Sequence, residues 1–514
     1  IFLSASASAQ VYFNERFQYG QPDWSSGASS ICQLADGYML GGAYQNFCPH
    51  CVGFIRIDSL GNKIMTKTFC DDTTEYYLGN GGAIITLGPD SILAAGQIST
   101  QTTNWYHDRG ILFFLNHDLD TLSTKQFGEK TEPFDTGYLF NQLILDSSKN
   151  IIITGSHYPN SPNARATMLL VKTDRYGNLI WKRRYGIGLH FEGRSVICTN
   201  DGGYAIGGYG YGVPIPPDYS GDPVVVKTDS AGNQQWLLNL GGQWQDTFAM
   251  ICNSTDGNII VGTTFCDSMP GGGPVADGNA YRRINIMKVD KSGNILWNKK
   301  YGISSMYNQL MSIRENSDGS LIACGFTTRL FLTTYDFAGW MLKTDPNGDS
   351  LWYRQYVICD GKTSWNWLFD VIPTNDNGFI TGGIVYAHLP DPDPDDGWVL
   401  KVDSLGCENP SYCWVGMNGE KTTPSEVNLT VFPNPAEKNI EIKFNELNIN
   451  TQFNLTMFDP FGRKIREVSI PPLETNIHID ISALPDGLYI IIARSGSKIL
   501  AKTKLSINKK TTIL

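Results

Sequence analysis

The sequence predicts an all-β protein, a closed ring of repeated four-stranded units followed by a small β-sandwich. Three observations carry this. The phrase Asp-x-x-Gly-Asn-x-x-Trp returns at 174–181, 229–236 and 290–297. Aromatic residues make up 12% of the 514 residues and glycines number 53, while Ala/Leu/Glu/Lys runs at helical period are few, which is a composition of strands and turns. After Cys413 the texture changes, first to a polar stretch and then to short alternating runs.

A chain of 514 residues is too long for one ordinary core, so it forms several domains or spreads its core over a repeat. Taking the Asp of the phrase as a ruler gives Asp58, a degenerate Asp118, then Asp174, Asp229, Asp290, Asp345 and Asp403, with spacings of 55 to 61 residues. Each clear copy holds four strand-like runs. In one copy these are SVICT (195–199), YAIGGY (204–209), VVVKTD (224–229) and QQWLLNLG (234–241), separated by the turns NDGG and SAGN and one long insert. Apolar alternation bounded by Asp/Asn-Gly turns is hairpin chemistry, because Gly and Asn accept the positive φ that tight connections need. Four antiparallel strands repeated at this period form the blade of a β-propeller.

The ends fix the count and the closure. The last copy stops at DSLGCENPSYC without its final strand, whereas VYFNERFQYG (11–20) matches LIWKRRYG and ILWNKKYG but has no strands of its own before it. The N-terminal segment is expected to complete the last blade, giving a closed seven-bladed propeller over 10–413 with two exposed edges removed.

In the repeated phrase, Asp bonds backbone amides ahead of it, Gly-Asn turns the corner, and Trp181, Trp236, Trp297 or Trp352 packs between blades. Blades of pyrroloquinoline-quinone dehydrogenases and the Asp-box of sialidases are similar. Their Asp-to-Gly step, however, is one residue longer in the first and one shorter in the second than Asp174 to Gly177. Calcium needs several converging carboxylates, which these turns do not offer. The acidic run PDPDPDD (390–396) is the segment where calcium is a candidate, and no cofactor is expected.

Function is sought on the opposite face, where long inserts and blade connections vary. The candidate ligand-binding residues there are Trp105, Tyr106, His107, Arg109, Tyr158, Tyr211, Trp244, Arg282, Trp365 and Trp367. Rings with interleaved polar groups suit stacking on sugars or gripping a peptide. Glu192 and Asp246 hold equivalent places before strands, which suggests a repeated structural task. No Gly-x-Ser-x-Gly, His-Glu-x-x-His or phosphate loop occurs, the seven histidines are scattered, and no catalytic residue is assigned. A formal charge of −10 without a Lys/Arg-rich run gives no footprint for nucleic acid or an anionic membrane. The expected role is binding a surface glycan or protein. The rivals are a glycoside hydrolase or lyase with carboxylates in a deep central pocket, and a structural component of a surface assembly.

The opening IFLSASASAQ, with Ala7-Ser8-Ala9 before Gln10, has the form of a signal-peptidase site, so 1–9 is read as the remnant of an export signal. No apolar run is long enough for a transmembrane helix. Eleven cysteines with an export signal suggest disulfides. Cys407 and Cys413 flank a short loop they could close, and Cys48 with Cys51 could be a local disulfide or half a metal site. Cys32, Cys198 and Cys252 share one repeat position in apolar strands and read as buried thiols.

Residues 414–427 read as a linker, and 428–514 as a small β-sandwich. Val431-Phe432-Pro433-Asn434-Pro435, Met457-Phe458-Asp459 with Phe461-Gly462-Arg463, Leu484-Pro485-Asp486-Gly487-Leu488-Tyr489 and a final Lys-rich strand resemble the type A C-terminal sorting domain of the Bacteroidota type IX secretion system. The resemblance implies export through the periplasm and across the outer membrane. It also implies recognition by the translocon and by outer-membrane shuttle or sortase components, followed by release or surface attachment. Pro433, Asn434, Pro435, Gly462, Gly487 and Tyr489 are the recognition residues it implies.

Overall fold

The computed structural model describes residues 11–20, 25–45, 50–101, 106–128, 137–159, 165–186, 190–211, 221–241, 246–268, 281–302, 306–328, 336–358, 364–386, 395–408, 428–434, 436–445, 453–458, 464–471, 476–484, 487–495 and 498–507. The chain divides into two compact units, 1–413 and 414–514, and every regular element among the described residues is a strand.

In the first unit, chain neighbours pair into antiparallel sheets. Ser25–Ser26 and Ser30–Gln33 both lie on Gly37–Gln45, followed by Cys51–Asp58 and Lys63–Phe69. Thr74–Leu78 and Ile84–Gly88 likewise share Ser91–Gln101, followed by Tyr106–Asn116 and Thr121–Phe127. The 137–185, 190–239 and 250–301 sheets have four strands each. An eight-stranded sheet joins the four strands of 308–356 to those of 365–402 plus Phe13–Phe17, through the single parallel pair Phe337↔Trp365.

Burial explains the residue choice in each strand. Third strands such as Asp222–Thr228 are buried throughout and read as continuous apolar runs, whereas fourth strands such as Leu179–Tyr185 are half exposed. Adjacent sheets pack face to face. Ile152, Met168 and Leu170 of one share a cluster with Val196, Ile206 and Val224 of the next.

The repeated turn shows why its residues recur. Oδ1 of Asp58, Asp174, Asp229, Asp290, Asp345 and Asp403 accepts the N–H groups two and four residues on, at 2.7–2.9 Å. The carboxyls of Asp174, Asp229 and Asp290 lie below their ordinary range because Asn178, Asn233 and Asn294 donate to them. Glycine is required twice over at the corner. Gly232, Gly293, Gly348 and Gly406 have φ of +73 to +89°, and a Cβ on Gly232, Gly348 or Gly406 would run into the ring of Trp181, Trp297 or Trp352 from the preceding sheet, while Gly293 lies against Trp236. In the degenerate second copy the turn begins at Asn116, not Asp118. Leu119, at φ +60°, takes the glycine place and the N–H of Asp120 reaches Asn116 Oδ1.

The first and last sheets of this unit are joined at several levels. Phe13–Phe17 pairs antiparallel with Asp396–Val402, from Phe13↔Lys401 to Phe17↔Gly397. The Ser26 and Ala28 amides donate to the Asp395 and Gly383 carbonyls at 2.8 and 2.9 Å. Phe13, Tyr19, Ile31 and Leu40 share a core cluster with Ile380 and Val399.

Cys51 is bonded to Cys70 across neighbouring strands, which corrects the Cys48–Cys51 alternative. Proximity in the sheet, not in sequence, set the pairing. Cys407 is disulfide-bonded, with its partner outside the described residues. Cys32 and Cys252 are buried thiols, their pKa pushed up to about 12 by burial.

The second unit holds a three-stranded sheet (Asn428–Phe432, Asn439–Asn445, Asn476–Asp480) and a four-stranded one (Lys464–Ile470, Phe453–Phe458, Gly487–Ser495, Lys498–Ile507). One apolar cluster joins them, with Ile440, Ile442 and Ile479 against Leu455, Ile491 and Leu505.

Candidate functional site

A pocket for chemistry would be sought where strands of several sheets converge, and one backbone connection lies at such a place. The connection Gly79-Asn80-Gly81-Gly82 leaves its own sheet. A Cβ on Gly81 would meet Met250 Cε at 3.3 Å, the Met311 carbonyl at 3.4 Å and the Phe369 carbonyl at 3.7 Å, atoms of three other strands. Gln142 Nε2 donates to the Gly81 carbonyl at 2.6 Å.

Around this connection, side chains at one repeat position each take a backbone amide from the next sheet. Ser30 Oγ accepts Ala83 N–H, Gln142 Oε1 accepts Val196 N–H, Ser195 Oγ accepts Ile251 N–H, and Asp370 Oδ2 accepts Ile31 N–H, at 2.6–3.2 Å. A β-bulge at Gln142, Ser195 and Asp370 aims these groups sideways. The Asp370 carboxylate has no exposure and also takes bonds from Ser312 Oγ at 2.9 Å and Arg314 at 3.0 Å. Sequence reading missed this ring because its members, Ser, Gln and Asp, share no residue type.

The insert face carries two clusters. In the first, Glu192 is held by three donors: Tyr158 OH at 3.0 Å, His190 Nε2 at 3.0 Å and Arg194 at 2.9 Å. Burial would raise this carboxyl, but the bonds from His190, Arg194 and Tyr158 outweigh it and keep it below its ordinary range. Burial and the Glu192 charge push the Tyr158 phenol up. The Tyr211 ring stands edge-on to His190 and to Tyr209, at 5.1 and 4.8 Å, and Arg194 lies over Phe248 at 5.2 Å. A carboxylate so held is an acceptor and an anion, not a proton donor.

The second cluster is a row of rings across three neighbouring sets of strands. Arg282 lies over Tyr307 at 5.0 Å and donates to its hydroxyl at 3.0 Å. Tyr307 stacks on Phe326, Phe326 on Trp367 at 4.7 Å, and Trp367 on Trp365 at 5.2 Å and 14°. Tyr386 stands edge-on to both tryptophans at 5.3 Å. Both tryptophans are half-buried, and the Trp367 indole Nε1 is buried without a hydrogen-bond partner among the described residues. Tryptophans two apart share a strand face, so Trp365-x-Trp367 is the sequence signal for this row. Phe326 and Arg194 carried no signal of their own in the sequence.

The remaining predicted residues are not gathered here. Trp105 and Trp244 lie outside the described residues. Tyr106 and His107 pair with Gln101 and Thr100 at a strand start, and Arg109 stands opposite Ile98 beside Gly128. Asp246 accepts the Cys266 amide at 2.8 Å. Of the acidic run, Asp396 is paired with Arg16 at 2.6 Å, and residues 390–394 lie outside the described set. Among the described residues no group of His, Cys, Asp and Glu could hold a metal ion.

In the second unit, the Asn434 side chain acts as a length of strand. Nδ2 donates to the Lys504 carbonyl and Oδ1 accepts the Ser506 amide, both at 2.8 Å, along the last strand. Pro433 precedes it, and Gly487 opens a strand opposite Ile507. Tyr489 is 5% exposed and belongs to the core of this unit. Pro435 and Gly462 lie outside the described residues.

Residues 430–508 match the family described as the secretion system C-terminal sorting domain. No curated protein matches the chain. Among solved structures the chain is similar to puromycin hydrolase, at 11% identity and a TM-score of 0.34, covering 73% of this chain and 62% of that one. The chain thus spans less than two thirds of that enzyme. It is also similar to Sqt1 from Chaetomium thermophilum, at 11% identity and TM-score 0.37, covering 76% and 100%. A third similar structure is the α-L-arabinofuranosidase Arb93A from Fusarium graminearum, at 13% identity and TM-score 0.36, covering 76% and 96%. Similarity at this level leaves function to be argued from the residues. The sorting domain marks the chain as a secreted or cell-surface protein exported by the type IX secretion system, and among the described residues no helix is long and apolar enough to cross a membrane.

Proposed function

We propose that the protein is a cell-surface or secreted binding protein whose first unit is a closed seven-bladed β-propeller. Its insert face holds a glycan or protein ligand, and its Ig-like second unit delivers it through the type IX machinery. Dividing the eight-stranded sheet at its single parallel pair supports the blade count, and the pairing of Phe13–Phe17 with Asp396–Val402 supports closure. The domain limits are 10–413, 414–427 and 428–514. Pro433, Asn434, Pro435, Gly462, Gly487 and Tyr489 are the residues by which the export machinery recognises the second unit.

The observation that carries the binding reading is the stacked, half-buried Trp365–Trp367 pair with Tyr386 at its edge and Arg282 at the far end of the row. Flat rings with a polar edge suit the apolar face of a sugar ring or a peptide side chain. Tyr158 and Tyr211 border a second contact area around the ionised Glu192, which accepts from hydroxyl or amine donors. The glycoside-hydrolase reading needs a deep central pocket with a protonated carboxyl. The Gly79-Asn80-Gly81-Gly82 connection and the fully bonded Glu192 count against that.

The test is retention of glycans on an array, and of components of a surface extract, by the immobilised full chain. Retention that falls in Trp365→Ala/Trp367→Ala supports the reading. A chain that retains nothing, or that cleaves the glycans it meets, overturns it.

A further inference from the structure

The outermost strands of the first unit are Phe13–Phe17, Lys63–Phe69, Thr121–Phe127, Leu179–Tyr185, Gln234–Asn239, Ile295–Tyr301 and Ser350–Tyr356. Together they carry ten Lys and Arg against one acidic residue, Glu15, in a chain whose net charge is −10. No linear basic run announces this, because each strand supplies only a few cations and the fold collects them on the rim. Lysine on an edge strand ordinarily keeps another strand from pairing with it. Exposed aliphatic residues do the reverse, yet the rim has both.

They coincide along the outer edges of the neighbouring 74–127 and 137–185 sheets. Leu122, Tyr176, Leu179 and Ile180 are 50–65% exposed there. Lys125 reaches across the two sheets to Asn178 Oδ1 at 3.3 Å, Arg175 lies over the Tyr176 ring at 5.5 Å, and Arg183 lies over Trp181 at 5.5 Å. Asp174 and Asp120 accept from Asn178 and Asn116 and stay ionised, and with Asp118 they offset three of the five cations of this edge, Lys125, Arg175, Lys182, Arg183 and Arg184, which leaves a positive excess beside the apolar strip.

We propose that this edge docks on an anionic phospholipid surface, with Leu179 and Ile180 entering the headgroup boundary and Lys125, Arg175 and Arg183 meeting phosphates. The charge of the patch selects this occupant, and the apolar strip selects an amphiphile over a purely polar polyanion. The surface is separate from the insert face and stands or falls apart from it.

The experiment is co-sedimentation of the full chain with vesicles of phosphatidylcholine alone or mixed equally with phosphatidylglycerol. Binding is expected only to the mixed vesicles, and it weakens as salt shortens the screening length. Lys125→Gln/Arg175→Gln/Arg183→Gln weakens it about fivefold per cation, and Leu179→Ser/Ile180→Ser about tenfold. Ile295→Ser/Leu296→Ser, on another sector of the rim, leaves it unchanged. These residues are exposed, and matched melting curves confirm that each variant is folded. Equal binding to both vesicles overturns the proposal. So does loss in the cation variant while Leu179→Ser/Ile180→Ser binds as wild type, because that is adsorption to any polyanion. If a variant does not fold, the lipid and salt comparisons on the wild-type chain still decide.

Discussion

Asp370→Ala is the sharpest perturbation of the ring. The carboxylate has no exposure and serves four donors: the Ile31 and Val371 amides, Ser312 Oγ and Arg314. Alanine leaves the Ile31 amide and the Ser312 hydroxyl buried and unpaired, at about 1–3 kcal/mol each. Arg314 keeps 22% exposure and is partly re-solvated, and removing a buried charge returns part of the loss. The expected net cost is about 3 kcal/mol. Asp370→Asn keeps the shape and an acceptor for Ile31, so it costs about 1–2 kcal/mol. The assay is denaturant unfolding followed by tryptophan fluorescence, with the midpoint moving at unchanged slope. If Asp370→Ala stays within about 0.5 kcal/mol of wild type, or Asp370→Asn costs as much as Asp370→Ala, the closing bond to Ile31 is not what the carboxylate supplies.

Two carboxylates should give pH responses of opposite sign. Burial raises the Asp370 carboxyl, so the folded state binds its proton more tightly than the unfolded state, and this group subtracts stability as pH rises from about 4 through its native value. Asp370→Asn removes that slope. Asp201 is partly buried, yet the Lys227 ammonium outweighs burial and lowers it to about 2. Its contribution is present above about pH 4 and is lost as pH falls to about 2, which acid titration of Asp201→Asn against wild type reads directly. Gly232→Ala, at φ +78° and against Trp181, should cost about 2 kcal/mol in the same unfolding assay, because the backbone is strained and the ring must move. A neutral result would sink the Trp–Gly account of the repeat.

The repeat made the first unit legible, because Asp, Gly and Trp each answer to a local demand: amides to cap, a positive φ, and a ring to pack on the next turn. The unpaired final strand near Val11–Gly20 was legible for the same reason, since LIWKRRYG marks an outer strand wherever it falls. What the sequence hid depends on places, not on phrases. The bulge ring uses Ser30, Gln142, Ser195 and Asp370 interchangeably because any acceptor of the right reach will take an amide. Cys51 found Cys70 across a sheet, not Cys48 along the chain. The basic rim is spread over strands far apart in sequence. Of the candidate ligand residues, Tyr158 and Tyr211 gather around Glu192, and Arg282, Trp365 and Trp367 join one row. Strand-end periodicity could not tell these from Arg109, which stands opposite Ile98 on a different strand pair.

The most direct test of the binding reading is the affinity of a glycan or peptide retained by the full chain, titrated against wild type and against Trp365→Ala/Trp367→Ala. The stacked pair predicts at least a thirtyfold loss, about 2 kcal/mol, with an unchanged melting profile. Equal affinity in the two proteins would contradict it.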